Sequence, residues 1–337
     1  MAIWDSSGLN TDALASAVNK WDDLNFVPAI VKRNALLYAM MGLSGVGDTE
    51  VPNWNGIFKK DFQVQGNNLN VRILGELESI STLADANQAD AVSWNNNTNR
   101  LGAAVFAWTH YSHNEVVRDS EYDLIKGNEA RTASYMEDTM QALRYSRQDT
   151  IGTAINGTND QARTTLGGWE FAVDSTGTYG GLVKSSNTFF AGNETDVAGA
   201  VDLDDLDALK LDILQDGGNP SVGLANKVPF NKIKQEVRGY AQAVPSSWRM
   251  YEGGGLLHYD GTTYAFEHRM TATVIGMLTP EHFRLYRKDD GAEISVVPEN
   301  VMKALLKGAK LGFTIREWMA FICRHPGAQG KLVGITS

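Results

Sequence analysis

The stretch from Arg118 to Ile155 constrains the fold more than any other part of the chain. It contains no proline, and its apolar residues recur at steps of three and four, which is typical of one stripe of an α-helix. The stripe consists of Ala133, Met136, Met140 and Leu143; Tyr122 and Ile125 precede it, and Ile151 and Ile155 follow it. A helix over this whole stretch would be about 50 Å long at ~1.5 Å per residue, whereas an average helix has only roughly 11–12 residues. We therefore predict a long, stiff helix that braces the other elements.

Composition and charge exclude several classes of protein. With 43% hydrophobic and 21% charged residues among 337, the chain is typical of a folded protein that has a large core or two to three smaller modules. A formal net charge of -10 argues against tight binding to a nucleic-acid backbone, which requires clustered Lys and Arg. We expect no membrane span, because no run of 18 apolar residues occurs, and no signal peptide, because the N-terminal residues lack a basic region and a long apolar region.

Two segments before the long helix carry more polar and aromatic surface than they can bury by themselves. Residues 1–25 predict an extended arm with one short helix that Thr11 caps, and a second short helix follows Pro28. Residues 42–113 predict strands at Phe58–Gln65, Asn70–Leu74 and Leu101–Tyr111, with a polar, Asn-rich excursion between the last two. We expect the arm to lie on another part of the fold or on a neighbouring chain. The projecting hairpin is expected to rest on something outside its own domain.

Residues 169–275 predict a compact α/β module. Asp202 can cap a helix whose inner face comprises Leu203, Leu206, either Leu209 or Leu211, and either Ile213 or Leu214. A strand at Ser221–Ala225 and a helix at Val228–Tyr240, capped by Asn226, follow it. Asp260–Gly261 is a hairpin turn signal. Residues 301–323 are mixed apolar, and the last residues, RHPGAQGKLVGI, predict a terminal loop and a strand.

No motif of a catalytic, cofactor or metal site is complete. The glycine-rich Gly42–Gly47 lacks the Lys and hydroxyl residue of a phosphate-binding loop. His110 and His113 fall on opposite faces of a predicted strand without further ligands nearby. The acidic run that starts at Asp202 lacks the glycine and terminal Glu of a calcium loop, so capping and a solvated face explain it. Cys323, the only cysteine, is expected to be a buried small residue rather than a nucleophile. We therefore predict a structural protein with no catalytic residues, cofactor or metal.

The order of the segments resembles one known family, the major capsid proteins of tailed bacteriophages with the Hong Kong 97-like fold. The long helix, with VVRDSEYDL before it and ALRYSRQDTIGTAINGT at its end, looks like the spine helix of that family. GGWEFAVDSTGTYGGL is similar to the link into the family's axial domain, and LDDLDALKLDILQDGGNPSVGLANKVPFNKIK is similar to its helix–strand–helix run. RHPGAQGKLVGI resembles the closing strand, and the polar excursion lies where the family has its extended loop.

The resemblance implies an α+β fold with an N-terminal arm, an extended β-hairpin loop, a peripheral domain that contains the long spine helix, and an axial α/β domain. The implied division is 1–41 arm, 42–113 extended loop with flanking strands, 114–168 peripheral domain with the spine, 169–275 axial domain, and 276–337 return to the peripheral domain. Where scaffolding is needed, it would come from a separate protein, because only about 25 residues precede the core. Lys59 and Lys60 lie in the loop region, but no matching Asn or Glu is found, so we assign no covalent crosslink between subunits.

The function that the resemblance implies is that of a major capsid protein, found in the virion and assembled in the bacterial host cytoplasm. Its partners would be further copies of itself in hexamers and pentamers of an icosahedral shell, with scaffolding, portal and decoration proteins, and packaged double-stranded DNA held without sequence-specific contacts. The exposed-arm argument makes Trp4, Trp21, Trp54 and Trp94 candidate inter-subunit anchors. Two alternatives stay open at this point: an encapsulin-like compartment shell, which encloses an enzyme, and a hydrolase whose site is scattered in the sequence.

Overall fold

The computed structural model describes most of the chain from residue 129 onward and selected segments before it. The described residues are 4–5, 8–9, 32–41, 43–44, 51–52, 63–65, 68–74, 101–118, 120–121, 129–248, 251–288, 293–297, 306 and 309–336. The helices are α1 (Ala35–Met41), α2 (Glu129–Ile155), α3 (Trp169–Ala172), α4 (Leu203–Gln215) and α5 (Lys227–Glu236). The remaining regular structure is β-strand with short 3-10 turns, so the fold is α+β.

A six-stranded mixed sheet forms the centre of one half of the molecule. In spatial order its strands are β11 (Asn193–Asp196), β19 (Gly330–Val333), β15 (Ile275–Leu278), β12 (Val222–Ala225), β14 (Thr262–Phe266) and β13 (Leu256–Tyr259). β11 runs parallel to β19, and β12 runs parallel to β14, whereas the other neighbouring pairs are antiparallel. Two of these strands, β15 and β19, belong mainly to the segment expected to return to the peripheral domain, and β15 spans the expected boundary at residue 275.

A second sheet is organised around one long strand. Its members are β8 (Thr109–Arg118), β16 (Phe283–Arg287), β17 (Glu293–Val297) and β18 (Ala309–Cys323). β18 has 15 residues and pairs antiparallel with β8 along one edge and with β16 and β17 along the other. This strand was not predicted. Its last five residues, 319–323, are all buried and show no alternation of apolar and polar residues. Before them the buried and exposed positions do alternate, but the buried Glu317 and the exposed Trp318 reverse the usual apolar-in, polar-out pattern.

The remaining strands form small sheets. β5 (Gln63–Gln65), β6 (Asn68–Leu74) and β7 (Leu101–Ala107) form a three-stranded sheet; β1 (Trp4–Asp5) pairs with β2 (Gly8–Leu9), β3 (Leu43–Ser44) with β4 (Val51–Pro52), and β9 (Thr178–Tyr179) with β10 (Leu182–Val183). The strand predicted at Leu101–Tyr111 is therefore two strands in two different sheets. They separate at the buried Trp108, where the chain leaves one sheet and enters the next.

The long helix is confirmed, but its predicted start is wrong. α2 has 27 residues, which corresponds to about 40 Å. Arg118 is the last residue of β8, where it pairs with Ala309, so it cannot belong to the helix. Residues 120–121 are helical, and 122–128 lie outside the described residues. The backbone N–H of Arg118 donates to the Glu121 carboxylate at 2.9 Å, and Arg118 itself pairs with Ala309 in the sheet, so tertiary contacts override the weak helical signal at this end.

Local signals predicted the shorter elements well. The Asp202 carboxylate accepts from the backbone N–H of Asp205 at 2.9 Å and the Asp205 carboxylate accepts from that of Asp202 at 3.1 Å, which is a capping box that begins α4. Asp260 and Gly261 both have positive φ and connect β13 to β14 as a two-residue hairpin turn. α5 is shorter than predicted, since the chain continues after Glu236 as a 3-10 turn.

Two apolar cores hold these layers together. The larger core joins α1, β6, β7, the end of α2, and residues of both large sheets. The smaller core lies between one face of the six-stranded sheet and the two helices α4 and α5; its members include Leu206, Leu209, Ile233, Tyr264 and Leu332. Since each helix contributes its own inner stripe to this second core, α4 and α5 cover the same face of the sheet.

Candidate assembly surfaces

The surface with the strongest pattern is the outer face of α4. Leu206, Leu209 and Ile213 face the sheet, which settles the alternatives that the sequence left open. Leu211, by contrast, is 65% exposed, and Leu214 also faces solvent. Two exposed leucines on an acidic helix are a candidate contact surface for another molecule.

The outer face of α5 has the opposite charge. Pro229 and Ile233 are buried against the sheet, whereas Lys227, Val228 and Lys234 are exposed. The chain then passes through a 3-10 turn to Tyr240, which is 66% exposed. The exposed residues of α5 and of the turn therefore combine cations with apolar and aromatic side chains. The sequence analysis missed both outer faces, although the off-stripe leucines and the lysine spacing are visible in the sequence.

The second half of the predicted arm, by contrast, packs on its own chain. In α1, Ala35, Leu36 and Leu37 are completely buried. The Tyr38 hydroxyl donates to the backbone oxygen of Ser247 at 2.8 Å, and the Tyr38 ring lies 5.3 Å from that of Trp248. This segment lies on another part of the fold, which is one of the two placements expected for it. It borders a cleft of about 220 Å³ whose lining also includes residues of β12, β13 and β14.

The base of the predicted projecting hairpin also rests on its own chain. Leu69, Ala104 and Phe106 are buried, and the Phe106 ring packs edge-on against Tyr179 with 5.0 Å between centroids. The backbone N–H of Val105 donates to Gly180 at 2.9 Å. Gly180 has a φ of +57°, and a Cβ there would lie only 2.5 Å from the Phe106 ring. The polar excursion at residues 75–100 lies outside the described residues.

Of the four tryptophans predicted to be anchors between subunits, only Trp4 is among the residues that the structure describes. Trp4 lies in β1, where it pairs with Leu9. Trp21, Trp54 and Trp94 lie outside the described residues. Their role as anchors stays a prediction.

A buried ion pair joins the long helix α2 to the long strand β18. Arg147 and Glu317 have side-chain exposures of 0% and 1%, and the guanidinium donates to both carboxylate oxygens at 2.9 and 3.2 Å. Arg287 approaches the same carboxylate at 3.7 Å. Such a bidentate pair fixes orientation as well as distance, so it sets the position of the helix on the sheet.

One glutamine connects three segments close to this ion pair. The Gln161 amide nitrogen donates to Ala107 at 2.9 Å and to the Thr109 hydroxyl at 2.7 Å, and its oxygen accepts from the backbone N–H groups of Gly167 at 2.8 Å and Phe321 at 3.1 Å. Gln161 thereby fixes the exit of α2 against β8 and β18. Nothing in its local sequence marks it as such.

A buried lysine stabilises the link that follows α3. Lys184 donates to the backbone oxygens of Phe171, Ala172 and Asp174 at 3.3, 3.1 and 2.5 Å. Burial lowers the pKa of this lysine to about 8, against a partial opposing effect of the Asp174 carboxylate. Three carbonyl acceptors at the end of a short helix satisfy the ammonium group, so its role here is structural.

The residues considered for chemistry are dispersed. Cys323 is buried, as predicted, and burial raises the pKa of its thiol to about 12, so it is not a reactive thiolate. His110 is exposed and its ring lies 4.5 Å from that of Trp318, whereas His113 is half-buried and burial lowers its pKa. Across the part of the chain that the structure describes, no three His, Cys, Asp or Glu side chains converge as metal ligands. None of its described helices is long and apolar enough to cross a membrane.

No sequence-family model matches this chain, and no curated protein is similar to it in sequence. Solved structures, however, share its fold. A chain of the Cyanophage A-1(L) capsid asymmetric unit matches with a TM-score of 0.54 at 12% identity, over 88% of this chain and 97% of that one. A chain of Mycobacterium phage Bobi matches with a TM-score of 0.53 at 11% identity, over 89% and 97%. A weaker likeness, with a TM-score of 0.49 at 11% identity, extends over 87% of this chain and 92% of the holo-SrpI encapsulin complex chain from Synechococcus elongatus PCC 7942.

Proposed function

We propose that this chain, which has the α+β fold of tailed-bacteriophage major capsid proteins, is itself such a protein. It would form hexamers and pentamers of an icosahedral shell that encloses double-stranded DNA. The observation that carries the proposal is the fold likeness over 97% of the cyanophage capsid chain. It supports a shell protein because the likeness extends over almost the whole of both chains rather than over one shared module.

The proposed division of the shell protein follows the sequence analysis. Residues 1–41 would be the arm, 42–113 the extended loop and its flanking strands, 114–168 the peripheral domain with α2, 169–275 the axial domain, and 276–337 the return to the peripheral domain. The six-stranded sheet suggests one refinement: β15 and β19 pair within the proposed axial region, so the return would include only β16 to β18 and their connections. Further partners would be scaffolding, portal and decoration proteins.

The proposed shell protein has no catalytic role. Cys323, the only cysteine in the sequence, is buried, and burial raises the pKa of its thiol to about 12, which does not suit a nucleophile. The acidic net charge of -10 also suits a container that must not adhere to its densely packed DNA.

Electron microscopy of the purified chain tests the proposal. We expect closed shells or the hexamers and pentamers that form them. A strictly monomeric chain with hydrolase activity would contradict the proposal. Deletion of residues 1–25 is the matched variant: it should leave a folded chain that assembles poorly, and normal particles from it would refute the role of the arm.

The contents of native particles distinguish the two kinds of shell. We expect nuclease-protected double-stranded DNA inside particles isolated from their source. An enclosed enzyme in place of DNA would instead support the encapsulin-like alternative, which has the same fold.

The four tryptophans give a residue-level test of the proposed contacts between subunits. Trp4→Ala, Trp21→Ala, Trp54→Ala and Trp94→Ala should each weaken assembly, because truncation of a buried interface aromatic costs about 2 kcal/mol or more. None should lower the melting temperature of the unassembled chain as much as Trp169→Ala, since Trp169 is completely buried in the larger core. Unchanged assembly in all four variants would contradict their role as anchors.

A further inference from the structure

The helices α4 and α5 lie over opposite ends of one sheet. α4 packs on β19 and β11, and β11 is the strand at one edge. α5 packs on β14 and β12, next to β13 at the other edge. Because both helices cover the same face, their outer surfaces lie side by side on one layer, and we call them the α4 flank, toward the β11 edge, and the α5 flank, toward the β13 edge.

The two flanks have opposite charges. From Asp202 to Asp216 the α4 segment contains six aspartates and one lysine, and the lysine contacts Asp260 in the β13–β14 turn. From Lys227 to Gly239 the α5 segment contains three lysines and one arginine against a single glutamate. Within the described residues, none of these four cations forms an ion pair with an acidic group. Within the part of the chain that the structure describes, each flank therefore presents a net charge that no ion pair neutralises completely.

Each charged flank also has exposed apolar side chains. On α4 these are Leu211 and Leu214; on the α5 flank they are Val228, at the start of the helix, and Tyr240, directly after the 3-10 turn. An apolar centre with a charged rim is the usual composition of a protein–protein contact, and complementary rims select the partner and its orientation. The two flanks are thus complementary to each other in charge and similar in apolar content.

We propose that the acidic α4 flank of one copy docks on the basic α5 flank of the next copy, with Leu211 and Leu214 facing Val228 and Tyr240. Two different patches on one chain form a heterologous, head-to-tail contact, which repeats until the copies close into a ring. The inference rests on the proposed shell function, since it specifies the contact that closes a hexamer or pentamer. It also makes ring closure dependent on salt, because exposed charges are screened.

Charge reversal on either flank tests this contact. An acidic-flank variant, Asp204→Lys with Asp212→Lys and Asp216→Lys, and a basic-flank variant, Lys227→Glu with Lys234→Glu and Arg238→Glu, change only exposed side chains. The first leaves three aspartates against four lysines in the α4 segment, and the second leaves four glutamates against one lysine in the α5 segment, so each reverses the sign of its flank. Each variant alone juxtaposes like charges, so the yield of rings, measured by native mass spectrometry, should fall at least tenfold. A chain that contains all six substitutions restores opposite charges and should regain rings. Failure of the sixfold variant to assemble, with its melting temperature unchanged, would overturn the proposal.

An equal mixture of the two single-flank variants sharpens the test. One variant then has two basic flanks and the other has two acidic flanks, so they can only alternate around a ring. Alternation closes with six copies but not with five. We expect the mixture to form hexamers and no pentamers, whereas recovery of both rings, or of neither, would contradict the pairing.

Two controls separate this inference from the proposed function. Reversal of three exposed acidic residues elsewhere, Glu115→Lys with Asp138→Lys and Glu281→Lys, should leave ring yield and its salt dependence as in the unmodified chain. If this control loses rings as completely as the flank variants do, the effect is one of net charge and the inference fails. If the unmodified chain forms rings and every variant does too, this inference alone fails. Failure of the unmodified chain to form any ring overturns the proposed function with it.

Discussion

The two large sheets of this molecule are stabilised in different ways. Apolar stripes of α4 and α5 pack on one face of the six-stranded sheet. Its central strands β12 and β15 are short and completely buried. The four-stranded sheet is held to α2 through the buried Arg147–Glu317 pair and, where the helix ends, through Gln161. Both sheets bury apolar area, and the six-stranded sheet also contains an ion pair of Lys331 with Asp174 and Glu194. The four-stranded sheet differs in that a bidentate pair fixes its position on the long helix.

This difference suggests a division of mechanical roles. Apolar packing tolerates small shifts between layers, whereas a bidentate ion pair is satisfied in only one relative position. We infer that α2 and β18 form the part of the chain whose geometry is most strictly defined. The oppositely charged flanks on the six-stranded sheet form the surface that we propose for contacts between copies.

The largest expected effect is the loss of the buried ion pair. Glu317→Leu removes the carboxylate that Arg147 and Arg287 share, and breaking a buried pair from one side costs roughly 3–5 kcal/mol. Urea unfolding monitored by circular dichroism measures this loss. Arg316→Met, which changes the neighbouring exposed residue of the same strand, is the control and should cost under about 0.5 kcal/mol. A cost below about 1 kcal/mol for Glu317→Leu would remove the distinction between the two sheets.

Two leucines of α4, one buried and one exposed, test how much apolar packing stabilises the six-stranded sheet. Leu209→Ala should destabilise the chain by about 2–5 kcal/mol, because Leu209 is 1% exposed and its truncation leaves a cavity beneath β19. Leu211→Ala, two residues away, should leave the stability of the unassembled chain within about 0.5 kcal/mol and instead reduce ring formation. Thermal unfolding and native mass spectrometry together separate the two effects. Equal destabilisation by both substitutions would show that the outer face of α4 is not free for contacts.

A smaller effect is expected at the start of the same helix. Asp202→Ala removes one half of the capping box and should cost about 1 kcal/mol of unfolding free energy. Asp202→Asn keeps an oxygen acceptor and should retain most of this stability, which makes it the matched control. If both substitutions cost the same, the charge of Asp202 rather than its hydrogen bond would stabilise α4.

The smallest effect concerns the junction between the two sheets, where pH should matter. His282 and His325 lie on the two chain crossings that connect the sheets, with ring centroids 5.1 Å apart. Burial lowers the pKa of both; the other histidine, Arg284 and Arg324 also lower that of His282, Glu281 opposes them, and Asp216 opposes the shift of His325. The unfolded chain therefore binds protons more readily as the pH falls below the ordinary value of 6.5, and the native state loses stability there.

The double variant His282→Asn with His325→Asn should flatten the decrease in melting temperature between about pH 6.5 and 5. Burial raises the pKa of Glu170 and Glu267, which gives a dependence of opposite sign, so only the difference between variant and unmodified chain reports the histidines. His268→Asn, at an exposed side chain, is the control. An unchanged pH profile in the double variant would mean that these histidines do not affect the junction.

The sequence predicts those parts of the fold that depend on neighbours along the chain. The Asp202 cap and the Asp260–Gly261 turn follow from local hydrogen bonds and from backbone angles that only a few residues adopt easily. The long helix follows from its period of three and four residues. The start of this helix was wrongly predicted at Arg118 because a distant residue decides the structure there. Arg118 pairs in a sheet with Ala309, which is 191 positions away in the chain.

The features that define the candidate surfaces and the buried contacts depend on distant residues. Arg147 and Glu317 are 170 positions apart, and Gln161 and Phe321 are 160 positions apart, so no local sequence pattern predicts either contact. Leu209 and Leu211 fall on either side of the predicted stripe, and only the position of the sheet decides which of them is buried. The opposite charges of α4 and α5 are visible in the sequence, but their placement on one face of one sheet is not.

Sedimentation velocity of the purified full chain, over a range of protein concentrations, tests the central claim most directly. The account predicts discrete, fast-sedimenting species, namely rings of five or six copies and closed particles, that become more abundant as concentration rises. A single monomeric species at every concentration would contradict it.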